Sequence, residues 1–191
     1  MTYEAIVIGV SAGGMNVMKQ LFAALPHNFQ LPIIIISHIG ARSDNQWIHI
    51  LNNTCSLTIK EADEKEKIRP GFIYFPPPNY HLMIENDKTF SLTIDAKVNY
   101  ARPSIDVLFE SAADAYGRHL IGIILTGSNS DGTLGLQRIK DQGGLTIVQD
   151  PSDAEYNPMP KSATSIKPDH ILPFKEILLF LTNLNQALLN T

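Results

Sequence analysis

A chain of 191 residues with 44% hydrophobic and 18% charged side chains can bury one full core and is not a disordered polymer. Its 15 basic and 19 acidic residues give a formal charge of −4, which argues against a surface built for a phosphate backbone, so no nucleic-acid partner is expected. The single cysteine, Cys55, excludes an internal disulfide and a cysteine-rich zinc site. No basic leader opens the chain and no apolar run approaches the ~18 residues of a membrane span. The reading is of one cytoplasmic domain over residues 1–191, not an integral membrane protein.

Taken in order, Tyr3 to Gly9 is a β-branched run ending in glycine, which predicts a buried strand. Ser11-Ala12-Gly13-Gly14 is a turn, and Met15, Met18, Leu21, Phe22 and Leu25 then recur at helical spacing up to Pro26. Pro32 opens a second, wholly apolar strand that ends at His38; such strands are expected where helices cover both faces of a parallel sheet. A helix is predicted over Ser43 to Asn53, with Trp47, Ile48 and Leu51 facing inward. Leu57–Ile59 and Phe72–Phe75 read as short strands. Tyr80–Glu85 and Thr89–Ile94 flank Asn86-Asp87 as a β-hairpin, expected at the sheet edge. Pro103 at the first helical position and Asp106 in the first turn announce another helix, with Val107, Leu108, Ala112 and Tyr116 on its apolar face. Leu120–Thr126 is a third apolar strand, followed by the loop Gly127–Gly132, a helix from Leu134 to Gln142 and a strand at Gly144–Val148. A proline-punctuated loop at Asp150–Pro160, a short helix at Lys161–Ser165, a short strand at Ile171-Leu172 and an amphipathic helix at Phe174–Leu189 complete the chain. This order predicts a three-layer α/β/α fold: a doubly wound, Rossmann-like, mostly parallel sheet with an antiparallel hairpin addition.

Open parallel sheets place their sites beyond the carboxyl ends of the strands. Three apolar strands here lead into Ser11, His38 and Asp131: a nucleophile, a base and a carboxylate. A serine hydroxyl is a poor nucleophile near neutral pH unless an imidazole takes its proton, and a carboxylate on the other ring nitrogen fixes the tautomer and stabilises the imidazolium. Gly9-Val10-Ser11-Ala12-Gly13 is a G-x-S-x-G sequence between a strand and a helix, the context that pattern requires. The helix start behind it offers free N–H groups, Ala12 and Gly13 among them, to a developing oxyanion. The rival reading takes Gly9, Ser11 and Gly14 as a dinucleotide-binding turn. Against it, Ser11 replaces the glycine that lets pyrophosphate approach, and Ser37-His38 stands where a ribose-binding acid belongs. Each of the three residues also has an ordinary structural role open to it: Ser11 or Asp131 as a helix N-cap, His38 as a hydrogen-bonded strand-end histidine. Arg102 is a candidate contact for a carboxylate-rich substrate or a member of a structural ion pair. Met159 and Tyr156 are candidates for the cleft mouth or for loop packing.

These segments together resemble a known family. I-G-V-S-A-G-G (8–14), S-H-I-G (37–40), R-P-S-I-D (102–106), I-L-T-G-S-N-S-D-G (124–132) and M-P (159–160) are similar, in order and spacing, to the catalytic domain of the chemotaxis protein-glutamate methylesterase, CheB. The likeness runs from about Glu4 to Phe174 and is to stand-alone versions with A-G-G after the serine, H-L-M-I-E and V-Q-D-P. It implies hydrolysis of glutamate γ-methyl esters on the cytoplasmic helices of methylated chemoreceptors, with glutamine deamidation in some members. It puts the catalytic residues at Ser11, His38 and Asp131, places an oxyanion-loop position at Ser128, and calls for no metal or cofactor. Ala12, Gly40, Ala101 and the pair Asn129-Ser130 depart from the usual pattern, as does Ser128, where methionine is common; a backbone N–H role at 128 survives that change. Before Tyr3 nothing corresponds to a phosphoacceptor receiver domain, which leaves three readings open: a constitutively active domain, one governed by a separate regulatory or methyltransferase protein, or an excerpt of a longer protein. Two other readings stay open: an esterase of similar chemistry on a substrate other than a receptor, and a non-catalytic domain that binds a nucleotide or partner in the same cleft.

Overall fold

The computed structural model describes residues 2–38, 48, 51–52 and 55–190. Strand β1 (Ala5–Val10) is followed by helix α1 (Gly14–Ala24), then β2 (Ile33–Ser37), β3 (Thr58–Glu61) and β4 (Phe72–Phe75). The hairpin strands β5 (His81–Ile84) and β6 (Phe90–Thr93) precede α2 (Ile105–Tyr116), β7 (Leu120–Ile124), α3 (Thr133–Asp141) and β8 (Leu145–Gln149). The chain closes with α4 (Pro158–Ala163), β9 (His170–Leu172) and α5 (Phe174–Leu189). The helix expected over Ser43 to Asn53 falls mostly outside the described residues, Trp47 included. Within it Ile48, Leu51 and Asn52 are helical, and Ile48 and Leu51 are buried.

Among the described residues the main sheet has the order β3-β4-β2-β1-β7-β8-β9, and all its pairings are parallel. Both faces are covered, which is why β1, β2 and β7 are buried at every position. Alternate residues of the two central strands part company: Ile6, Ile8, Ile33 and Ile35 join α1 and α5 in one core, through Phe22, Ile177 and Leu181. Ala5, Val7, Ile34 and Ile36 join α2 and α3 in the other, through Leu108, Phe109 and Leu136. Truncating any one of these isoleucines to alanine would cost about 2–5 kcal/mol. The two helices of the second core come very close, since a Cβ on Gly135 would stand 2.5 Å from Cβ of Phe109 and 3.0 Å from the Asp106 carbonyl oxygen.

Three expectations are corrected in detail. The hairpin does not extend the sheet edge. It forms a sheet of its own, with Leu82, Ile84 and Phe90 in the second core and its Ile84 N–H donating to Ser111 Oγ of α2 (3.1 Å). Helix α2 starts two residues after Pro103, because Ser104 is the extended N-cap residue (φ −110°, ψ 141°). The short helix expected at Lys161–Ser165 runs over Pro158–Ala163, with Pro158 at its first position and one 3₁₀ turn, Thr164–Ile166, at its end.

Candidate active site

The site lies where the strand order reverses. From β1 the chain crosses by α1 to β2 on one side, while β7 and α3 lie on the other side and pack on the opposite face. Helices that diverge in this way leave a crevice at the carboxyl ends of the central strands. Backbone bonds tie the three strand ends together there: Ser11 N–H donates to the Thr126 carbonyl (3.0 Å) and His38 N–H to the Val10 carbonyl (3.3 Å).

Ser11 opens a tight turn closed by Gly14 N–H donating to the Ser11 carbonyl (2.9 Å). The turn needs Gly13 at φ 76°, ψ −5°, a region costly for any residue with a Cβ, and a Cβ there would also meet Thr126, Glu155 and Tyr156 at 3.0–3.1 Å. Thr126 latches the turn from the side. Its Oγ1 lies 2.9 Å from the Ala12 carbonyl, to which it can donate, and accepts from Tyr156 N–H (2.9 Å). Helix α1 has Gly13 as its N-cap residue and no side-chain cap, so Ser11 does not act as one. Ala12 and Gly13 N–H make no hydrogen bond among the described residues. The positive end of the helix thus faces a cavity of about 410 Å³ lined by Ser11, Ala12, Gly13, Met15, His38 and Glu155.

Asp131 is fully buried. It does not cap its own helix α3, whose N-cap residue is Gly132 with no side-chain bond. It caps α2 instead, accepting from Ser104 Oγ (2.8 Å), Ile105 N–H (2.7 Å) and Asp106 N–H (3.1 Å), with Asn99 Nδ2 at 3.2 Å. The favour is returned: Asp106, in the first turn of α2, accepts from Gly135 N–H in the first turn of α3 (2.7 Å). Burial by itself would raise the Asp131 carboxyl. The His38 contact, the two backbone N–H groups and Asn99 outweigh it and hold the group at about 2. Asp106 goes the other way. Burial, opposed by the Gly135 bond and reinforced by the Asp131 charge, pushes it up to about 6.

Between the serine and the carboxylate stands His38. Its Nε2 is buried, and Asp131 Oδ2 lies 3.0 Å away, close but off the line of a straight N–H bond. Asn129 Nδ2 lies 3.2 Å from Nδ1. No hydrogen bond joins Ser11 Oγ to the ring among the described residues, although both residues line the cavity. Nε2 thus faces the carboxylate and Nδ1 faces the Asn129 amide. Such a ring, set beside a carboxylate of depressed pKa, can take a proton from a hydroxyl in the cavity and return it.

Other predicted positions lie outside this cluster. Arg102 donates to the Ile94 and Asp95 carbonyls (2.6 and 2.9 Å) and so braces the hairpin exit. Met159 is fully buried against Gly127 and does not line the cavity. Ser128 is exposed on the loop before Asp131, and Tyr156 is half exposed next to Gly13. The residues that position the site and that sequence reading passed over are Ser104, Asn99 and Thr126, while Asn129 stands out there only as a departure from the family pattern. Ser104 had a signal as the residue before a helix. Asn99 sits at φ 50° in the turn with Tyr100, where asparagine is a favoured residue.

Fold and site together define an open parallel α/β sheet with a serine, a histidine and a buried carboxylate gathered at one switch point. The description CheB methylesterase matches residues 6–181 of the chain. A protein of Leptospira interrogans named "Putative protein-glutamate methylesterase/protein-glutamine glutaminase" is 56% identical over 189 residues, 97% of each chain. The protein-glutamate methylesterase/protein-glutamine glutaminase of Thermotoga maritima is 35% identical over 91% of this chain, which spans about half (52%) of that relative's length. The crystal structure of the Thermotoga maritima CheB methylesterase catalytic domain superposes with a TM-score of 0.90 at 34% identity, covering 96% of this chain and 100% of that one. The chain belongs to the CheB methylesterase family.

Proposed function

We propose that this protein hydrolyses γ-methyl esters of glutamate side chains on chemoreceptor helices, with Ser11 as nucleophile, His38 as general base and acid, and Asp131 as the group that orients His38. The single observation that carries this reading is the gathering of Ser11 and His38 at one cavity with Asp131 Oδ2 3.0 Å behind the ring. Ser11 Oγ attacks the ester carbonyl as its proton passes to His38 Nδ1, and the carbonyl electron pair moves to oxygen. The Ala12 and Gly13 N–H groups at the start of α1 receive that oxyanion. The carbon–methoxy bond then breaks, the departing oxygen takes the proton from Nδ1, and methanol leaves. Water repeats the sequence on the glutamyl-serine ester, giving glutamate and free Ser11. With an amide in place of the ester the same steps release ammonia, which is the glutaminase half of the relatives' names.

The cavity volume, about 410 Å³, is ample for a side-chain ester. Methanol release from methylated receptor fragments tests the reading, with small methyl esters as the comparison. Receptor fragments turned over much faster than small esters support it; the reverse order means an esterase with another substrate. A Ser11→Ala protein that still releases methanol at near the parent rate contradicts the nucleophile.

A further inference from the structure

The amide of Asn129 is oriented without ambiguity. One of its two terminal atoms lies 3.2 Å from the Asp131 backbone N–H, a donor, so that atom is Oδ1. The other, Nδ2, lies 3.2 Å from His38 Nδ1. An N–H donor there requires a lone pair on Nδ1, so the neutral ring carries its proton on Nε2, towards Asp131 Oδ2. Nε2 is buried and meets no other partner among the described residues. Nδ1 is thus the nitrogen that must take a proton from a hydroxyl in the cavity, and in this structure its lone pair is already engaged by Asn129.

We infer that Asn129 is a positioning residue that sets the His38 tautomer and at the same time masks the basic nitrogen in the resting protein. The inference rests on the serine reading above. The loop around Asn129 is built for such a role. Gly127 is pinned on one side, donating to the Tyr156 carbonyl (2.9 Å) and accepting from Met159 N–H (3.0 Å). Asp131 is pinned on the other by the start of α2. Between them Ser128 and Ser130 are exposed and Asn129 is half-buried, so a rotation of its side chain, which also releases Oδ1 from the Asp131 N–H, clears Nδ1 while the Gly127 and Asp131 backbone stays in place. A substrate entering the cavity displaces the amide, Ser11 Oγ takes its place, and the proton path opens only when an ester is present. Among the described residues the groups facing the ring are Asp131 at Nε2 and Asn129 at Nδ1, and Glu155 lines the same cavity.

The test combines two readouts on the intact protein. Nitrogen-15 spectra of labelled histidine report the ring state of His38, identified by difference with His38→Gln; the proton is expected on Nε2 in the parent, and the Nδ1 resonance is expected to move in Asn129→Ala. The rate at which a fluorophosphonate labels Ser11 without substrate is expected to rise about two- to tenfold in Asn129→Ala and Asn129→Gly, the worth of one hydrogen bond. A purely structural role for Asn129 would leave the ring signal unmoved. A proton on Nδ1 in the parent, or equal or slower labelling in both variants, overturns the masking. Labelling in no form at all overturns the serine reading itself.

Discussion

The two halves of the site are built on opposite principles. On the Asp131 side every acceptor position is occupied: a hydroxyl, two backbone N–H groups, an asparagine amide and an imidazole converge on a carboxylate with no solvent exposure. On the Ser11 side the turn is fixed through its backbone, while the serine, the Ala12 and Gly13 N–H groups and the helix start face open space. The difference teaches which part of a reaction must be prepared in advance. Orientation of the base cannot wait for substrate, so it is over-determined and coupled to helix packing. Groups that meet the ester stay free of internal partners, since each internal bond would have to be broken before the reaction.

Substitutions can break that contrast at either end. Ser11→Ala is expected to lower methanol release by on the order of 10³–10⁶-fold while urea unfolding shifts by no more than about 0.5 kcal/mol. Asp131→Ala should lose both. It leaves Ser104 and the first N–H groups of α2 without acceptors in a buried site, a cost of about 3–5 kcal/mol, offset in part because Asp106 loses a charged neighbour. Equal loss of stability in both variants would erase the distinction between the two halves.

A milder change probes the boundary between them. Gly13→Ala forces a Cβ into a left-handed position and against Thr126, Glu155 and Tyr156. About 1–2 kcal/mol of stability should go, and kcat should fall about 10–100-fold as the serine is displaced. Unchanged kcat would mean that the turn does not set the serine's position.

The smallest effect is one of pH. Asp106, raised to about 6, contributes stability that is complete below its ordinary value of about 4 and is lost as pH rises through about 6. Asp131, held at about 2, contributes stability present above about 4 and lost as pH falls towards about 2. Stability from the pair therefore peaks near pH 4. Asp106→Asn should flatten the decline between about pH 4 and 6 and leave the acid-side loss in place, as read by urea midpoints across that range. A variant with the parent's slope would contradict the assignment of that decline to Asp106.

Much of this was legible in the sequence because it depends on local pattern. Wholly apolar strands ending in Ser11 and His38, a glycine turn and a helix start are written in consecutive residues, and a doubly wound sheet follows from their order. The arrangement around Asp131 is not local. Its partners lie 25 to 27 positions away at Ser104, Ile105 and Asp106, and 32 away at Asn99. Nothing in the spacing of Asp106 and Asp131 says that each serves the other's helix. The hairpin was readable as a hairpin, yet its seat on α2 depends on which face of Leu82, Ile84 and Phe90 finds a core, which strand alternation does not decide. Arg102 fits a substrate contact by charge alone; only the path of the chain turns it to the Ile94 and Asp95 carbonyls.

The central claim is that Ser11, His38 and Asp131 act as one proton-passing unit. It is tested most directly by kcat/KM for methanol release from methylated receptor fragments, measured for Ser11→Ala, His38→Ala, Asp131→Asn and the triple variant. The account predicts that the triple variant is no slower than the Ser11→Ala variant, because once the nucleophile is gone its helpers have nothing left to do. Losses that multiply from one variant to the next would show three independent contributions and contradict it.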